Sequence, residues 1–115
     1  MKHKMNLYSE PFEMIQNGQK TIELRLNDEK RQQIKVGNII EFTQAETGET
    51  LLAEVIRLYN YHSFAELYRD LPLLKCGYTE SNIFSAKPED MDLYYTPEQQ
   101  IKYGVIGIEI RVIGV

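Results

Sequence analysis

Between Gly18 and Arg25 the chain reads Gly-Gln-Lys-Thr-Ile-Glu-Leu-Arg, so that an ammonium, a hydroxyl, a carboxylate and a guanidinium follow one another in a short run. A lysine held near a carboxylate and partly withdrawn from water can have its pKa moved enough to orient or deprotonate a water molecule, and the carboxylate can shuttle the proton. Lys20 and Glu23, with the Thr21 hydroxyl beside them, are therefore the candidate catalytic set. The same groups can bind instead: Arg25 suits a phosphate or a base edge, Glu23 can accept from an exocyclic amine, and Lys20 can neutralise a phosphate. A plainer reading stays open at this level, with Gly18 as a helix stop, Lys20 as a solvated charge, and Glu23 with Arg25 as a surface ion pair worth about 0–1 kcal/mol.

The elements that must carry this run can be read from local signals. Ser9 is placed to cap a helix whose first turn holds Pro11 and whose inner face is Phe12 and Ile15, and Asn17-Gly18 should end it. From Lys20 to Leu26 the pattern alternates, with Ile22, Leu24 and Leu26 on one face and Thr21, Glu23 and Arg25 on the other, which predicts a half-buried strand with an unusually polar outer face. After a short helix ending near Gln33, a strand over 38–43, a turn at Glu46-Thr47-Gly48-Glu49 and a strand over 50–59 predict a hairpin. Ser63 and Glu66 have capping-box spacing, and Phe64, Leu67, Tyr68 and Leu71 form one buried helical stripe that Pro72 ends. Residues 73–95 read as loop with room for one short helix. Thr96-Pro97 starts another helix ending at Tyr103-Gly104, and Ile106, Ile108, Ile110 and Val112 alternate in a closing strand. Strands with helices inserted between them, rather than a helix after every strand, predict an α+β domain whose mostly antiparallel sheet curls into a small barrel.

The totals bound the function classes. At 115 residues the chain fits one domain spanning residues 1–115, with an ordinary globular balance of 43% hydrophobic and 26% charged residues. The formal net charge of −4 argues against a protein that coats nucleic acid by bulk electrostatics, although Lys20, Arg25, Lys30, Arg31 and Lys35 leave room for a local basic face. No apolar stretch approaches the ~20 residues that cross a bilayer, and the N-terminus lacks a signal peptide's apolar centre, so a cytoplasmic location without membrane contact is expected. Cys76 is alone and His3 and His62 are far apart in sequence, so neither a disulfide nor a metal site is expected, and no cofactor. The oligomeric state stays open.

The run Gly-x-Lys-Thr-x-Glu-x-Arg after a short helix resembles the signature of ASCH domains, members of the PUA-like superfamily. The likeness extends to Arg25-Leu26-Asn27-Asp28-Glu29-Lys30-Arg31, to Val36-Gly37-Asn38-Ile39-Ile40-Glu41-Phe42 and to Tyr103-Gly104-Val105-Ile106-Gly107-Ile108-Glu109-Ile110, and is poorest over 73–95. The resemblance implies a small β-barrel flanked by short helices, a cleft beside the Lys20 strand, and RNA or a modified nucleoside as partner. Some similar small bacterial proteins are amidohydrolases that deacetylate N4-acetylcytidine, and others are ribonucleases or RNA-binding modules. In the amidohydrolase pattern Lys20 matches the base, while Glu23 stands where the nucleophilic threonine is expected; Thr21 is the nearest hydroxyl and Glu80 the nearest candidate for the supporting carboxylate. A carboxylate cannot replace a hydroxyl nucleophile in acyl transfer without changing the mechanism.

Aromatics complete the expected site. Tyr59, Tyr61 and Tyr68 surround the start of the capped helix, and Tyr94, Tyr95 and Tyr103 can approach the cleft from the acidic half; each is either a stacking platform for a base or part of the core. Arg57 and Arg111 are expected to face outward. The first expectation is thus an RNA- or nucleoside-binding domain using Lys20, Glu23, Arg25, Tyr61 and Tyr103. The alternative is a hydrolase acting on an acylated nucleoside or on RNA, and a protein-interaction domain is a third.

Overall fold

The computed structural model describes residues 1–114. Strand β1 (Lys2–Leu7) leads into helix α1 (Ser9–Gln16), then β2 (Ile22–Leu26), β3 (Ile39–Gln44), β4 (Thr50–Tyr61), α2 (Phe64–Asp70), α3 (Pro97–Tyr103) and β5 (Val105–Gly114). The five strands form one sheet in the order β1-β3-β4-β5-β2, antiparallel except for the parallel β1–β3 pair. The sheet curls into a half-barrel, the α+β arrangement expected of a PUA-like fold. Its two edge strands, β1 and β2, come close enough for the Arg25 guanidinium to donate to the Asn6 carbonyl at 2.9 Å. A side chain therefore bridges the seam between the sheet's edges.

Local signals account for most element ends. Gly18 closes α1 at φ +86°, and Asn17 donates back to the Glu13 carbonyl. Ser9 does not cap that helix: it lies in the first turn, and the Tyr8 carbonyl one residue earlier accepts from Phe12. Ser63 accepts from the Glu66 amide at 3.2 Å, while the Glu66 carboxylate reaches back to His62, and Thr96 and Gln99 form a reciprocal capping box. Residues 73–95, expected as loop with room for one short helix, wind through three short 3-10 segments, Leu73–Lys75, Ile83–Ser85 and Pro88–Leu93.

Two apolar clusters sit on opposite faces of the sheet. Inside the curl, Phe12 and Ile15 of α1 meet Met5, Ile40, Phe42, Leu51, Val55 and Ile108; on the other side, Ile22, Leu24 and Val105 meet Phe64, Leu67 and Leu71 of α2. β4 serves both clusters because its register shifts between Val55 and Arg57. Before the shift the odd-numbered Leu51, Ala53 and Val55 face the first cluster; after it Leu58 does, and Tyr59 and Tyr61 turn to the second.

Close packing at the start of β5 depends on glycine. Gly104 holds φ +71° and ψ −172°, a region open essentially to glycine alone, and a Cβ there would lie 2.9 Å from the Tyr61 backbone oxygen. Gly104→Ala is expected to destabilise the fold by about 3 kcal/mol, measured by urea denaturation. A loss below about 0.5 kcal/mol would contradict this, since surface changes reach that much without any such clash.

Candidate nucleoside cleft

Strand β2 is more buried than its alternation suggested: Ile22, Glu23, Leu24 and Leu26 are all buried and Arg25 is half-buried. The polar face lies in the seam between β1 and β2, beneath α1 and the 68–95 segment, rather than in open solvent. There Lys20 Nζ stands 2.6 Å from Glu23 Oε1, and Arg25 Nε donates to Glu23 Oε2 at 2.8 Å. The side chains of Lys20, Glu23 and Arg25 are only 10%, 4% and 15% exposed, so these are not the solvated charge and surface pair of the plainer reading.

Burial by itself would push the Glu23 carboxyl up. The Lys20 ammonium and the Arg25 guanidinium, through charge and hydrogen bonds, outweigh it and hold the group at about 2. For Arg25, burial works against the charged form and Glu23 reverses that, raising its pKa above the ordinary value. The triad is thus a carboxylate clamped by two cations, and one of those cations also ties β2 to β1.

Above the triad lies a cleft of about 550 Å³, within the usual range of small-ligand sites. Lys20, Glu23 and Arg25 form its β2 wall, Asn6, Tyr8 and Met14 belong to the β1–α1 side, and Tyr68, Cys76, Gly77, Tyr78, Asp90 and Tyr95 lie opposite. Gly77, held at φ +115°, lies against the Lys20 stem, where even a Cβ would make an ordinary contact at 3.5 Å. Tyr8 and Tyr94, 67% and 61% exposed, stand among the lining residues as accessible rings.

The sequence-predicted site residues divide. Lys20, Glu23 and Arg25 converge on this cleft, and Tyr94, Tyr95 and Tyr68 join them. Thr21 does not line it. That residue precedes β2, its amide donates to the Lys75 carbonyl, and it borders a second groove, with Asn17, Lys75 and Arg111, whose lining shares only Lys20 with the cleft. Tyr61 packs with Phe64 and Leu67 in the second apolar cluster, and Tyr103 sits at the end of α3 under the Lys102 ammonium, 5.0 Å from the ring centroid; neither borders the cleft. Glu80 is exposed and also lies outside it. Arg111 pairs with Glu54 on the outer face of the sheet. Among the described residues no group of three or more His, Cys, Asp or Glu side chains is placed to hold a metal ion, and no helix is long and apolar enough to cross a membrane.

With this geometry in view, the ASCH domain model matches residues 5–114. The chain belongs to the ASCH domain family. The crystal structure of hypothetical protein PH0355 is 37% identical, with a TM-score of 0.82 over 98% of this chain and 100% of that one. The solution structure of protein PF0455 from Pyrococcus furiosus is 34% identical, with a TM-score of 0.76 over 98% of each chain. An ASCH protein from Zymomonas mobilis, solved as a Tyr-to-Phe variant, shares the fold at 12% identity, with a TM-score of 0.67 over 99% of this chain and 76% of that one. Among curated proteins none matches this chain in sequence.

In this ASCH domain the lining residues that sequence reasoning missed come from two places, the β1–α1 side with Asn6, Tyr8 and Met14, and the 73–95 stretch that matched least well. Cys76, Gly77, Tyr78 and Asp90 reach the cleft from turns whose positions no periodicity announces. Burial pushes the Cys76 thiol up to about 11, against the opposing pull of Lys20. Two pH units separate that from the ordinary 9.0, so the thiolate is scarcer by about 100-fold near neutral pH. Native Cys76 is expected to react with iodoacetamide at least about 100-fold more slowly than the same residue in the urea-unfolded chain. Equal rates would show that the thiol is open and ionisable in the folded protein.

Proposed function

We propose that this ASCH domain binds RNA by taking one unstacked nucleoside into the cleft, with Lys20 and Arg25 donating to the base and Glu23 orienting both. The observation that carries this reading is the buried Lys20–Glu23–Arg25 triad, whose unused N–H groups border an aromatic-lined cleft. The charged lining residues are Lys20 and Arg25 against Glu10, Glu23 and Asp90, so there is no excess of positive charge to attract a phosphate into the cleft itself. A neutral heterocycle fits that balance better. Exposed Tyr8 and Tyr94 offer faces on which neighbouring bases can stack, the mode by which proteins read single-stranded RNA.

The alternative is a hydrolase acting on an acylated nucleoside such as N4-acetylcytidine, or on RNA. It draws on Lys20, at the position matching the amidohydrolases' base, standing against a carboxylate within the cleft. The rest of the chemistry favours binding. Glu23 is held at about 2, Cys76 is pushed up to about 11 and Tyr68, by burial, up to about 12, so none of the three is poised near neutral pH for proton transfer. Thr21, the hydroxyl that would replace the missing nucleophile, lines the second groove beside Lys20 and not the cleft that holds Glu23 and Arg25.

Amide chemical-shift titration with the four ribonucleosides and with short single-stranded RNA tests the reading, alongside incubation with N4-acetylcytidine. Saturable shifts at Lys20, Arg25 and Tyr94, with N4-acetylcytidine left intact, are expected. Absence of shifts at these positions with every ligand rejects nucleoside binding. Deacetylation that disappears in Lys20→Ala replaces binding with the hydrolase reading.

A further inference from the structure

Three residues that the triad does not use form a hydrogen-bonded chain on the opposite wall. Tyr68 comes from α2, Tyr78 from the turn after Leu73–Lys75, and Asp90 from the segment Pro88–Leu93. The Tyr68 and Tyr78 hydroxyl oxygens are 2.7 Å apart, and the Tyr78 hydroxyl donates to Asp90 Oδ2 at 2.7 Å. The same carboxylate oxygen accepts from the Lys87 amide at 3.2 Å, which fixes its position.

Counting protons gives this chain a direction. A tyrosine hydroxyl has one proton to donate. That of Tyr78 is committed to Asp90, so the proton between the two tyrosines belongs to Tyr68. The Tyr68 oxygen then has only lone pairs left for anything in the cleft. The Tyr78 hydrogen bond keeps the Asp90 carboxyl below its ordinary range, and burial keeps Tyr68 protonated, so the order persists at neutral pH.

The β2 wall has the opposite character. Lys20 has three N–H donors and Arg25 five; Glu23 and the Asn6 carbonyl engage only some of them, and both side chains are donors alone. Cys76 and Gly77 join the two walls, with Gly77 against the Lys20 stem. With both Glu23 oxygens engaged by these two cations, the groups left free on this side of the cleft are chiefly donors, and the Tyr68 oxygen is an acceptor on the other.

We infer that the Tyr68–Tyr78–Asp90 chain selects the base: the cleft takes a heterocycle presenting a ring-nitrogen or carbonyl acceptor beside an exocyclic amine, as in cytosine, over the isostere with these groups exchanged, as in uracil. The inference rests on the base-binding reading above. Cytosine turns its acceptors to Lys20 and Arg25 and its amine to Tyr68. Uracil brings a carbonyl against the Tyr68 lone pairs and an N–H against the donors, leaving desolvated polar groups without partners. Adenine and hypoxanthine differ in the same sense.

Calorimetric titration of cytidine and uridine into the wild type, Tyr68→Phe and Tyr78→Phe tests the inference. The wild type is expected to prefer cytidine by at least about tenfold, the effect of one buried polar mismatch. Tyr68→Phe should weaken cytidine and leave uridine unchanged. In Tyr78→Phe the Tyr68 proton is free to turn into the cleft and meet a carbonyl, so uridine should gain and the ratio fall toward one. General damage to the fold would instead weaken both nucleosides together. Equal affinities in the wild type, or an unchanged ratio in Tyr78→Phe, overturn the inference while nucleoside binding stands. Binding of neither nucleoside by the wild type overturns the base-binding reading, and the inference with it.

Discussion

Replacing Glu23 by alanine is expected to destabilise the fold by about 3–5 kcal/mol, because it leaves the Lys20 and Arg25 charges desolvated without their counter-ion. The same substitution should alter the response to acid. Glu23 has a folded pKa of about 2 against an ordinary 4.5, so the stability it contributes is fully present above pH 4.5 and is lost as the pH falls toward 2. At 1.36 kcal/mol per pH unit, that difference corresponds to about 3 kcal/mol. Urea denaturation from pH 7 to pH 2 should show a wild-type decline of roughly this size below pH 4.5, with a flatter profile in Glu23→Ala. Parallel profiles for the two proteins would mean that the triad is not a stability determinant and that acid sensitivity arises elsewhere.

The second large effect falls on ligand binding. Lys20→Met keeps the length and apolar stem of the side chain, so the packing against Gly77 survives, and Glu23 retains Arg25 as a partner. The loss of a charged donor should weaken nucleoside binding by about 10- to 100-fold, the equivalent of 1.5–3 kcal/mol. Only a fold that stays cooperative in urea gives that loss its meaning, and the retained Arg25–Glu23 bond predicts that it will. An unchanged dissociation constant in a folded Lys20→Met protein would remove Lys20 from the binding wall. The two substitutions separate the roles within the triad. Glu23→Ala should act on stability first, whereas Lys20→Met should act on affinity first.

Alternation, caps and the ordered blocks around Gly18–Arg25 gave most of the elements, the family, and three residues that converge on one cleft. The alternation of Ile106, Ile108 and Ile110 marks β5 because successive side chains point to opposite faces of the sheet, and Ser63 and Thr96 cap helices because their side chains satisfy amides within the same turn. Such signals are local and survive in a linear reading. Tyr61 shows where local reading fails. Expected at the cleft beside the capped helix, it packs into the second apolar cluster, on the face to which the register shift after Val55 turns it, and that shift depends on pairing with β5, far away in sequence.

The amino-acid sequence by itself determined that Lys20, Glu23 and Arg25 stand close together just before and along β2, and where α2 and α3 begin. Only the tertiary structure decided that those charges are buried. Whether Lys20 and Arg25 are solvated or clamped depends on the curl that brings β1 to β2, joined by the Arg25–Asn6 hydrogen bond, and on the 73–95 segment folding over them. The same holds for the opposite wall. Tyr68, Tyr78 and Asp90 are ten and twelve residues apart in sequence, and the direction of their hydrogen bonds exists only once a helix, a turn and a 3-10 segment place their oxygens 2.7 Å from one another in succession. Desolvation and proton order are properties of contacts between distant segments, and neither has a period that a sequence can display.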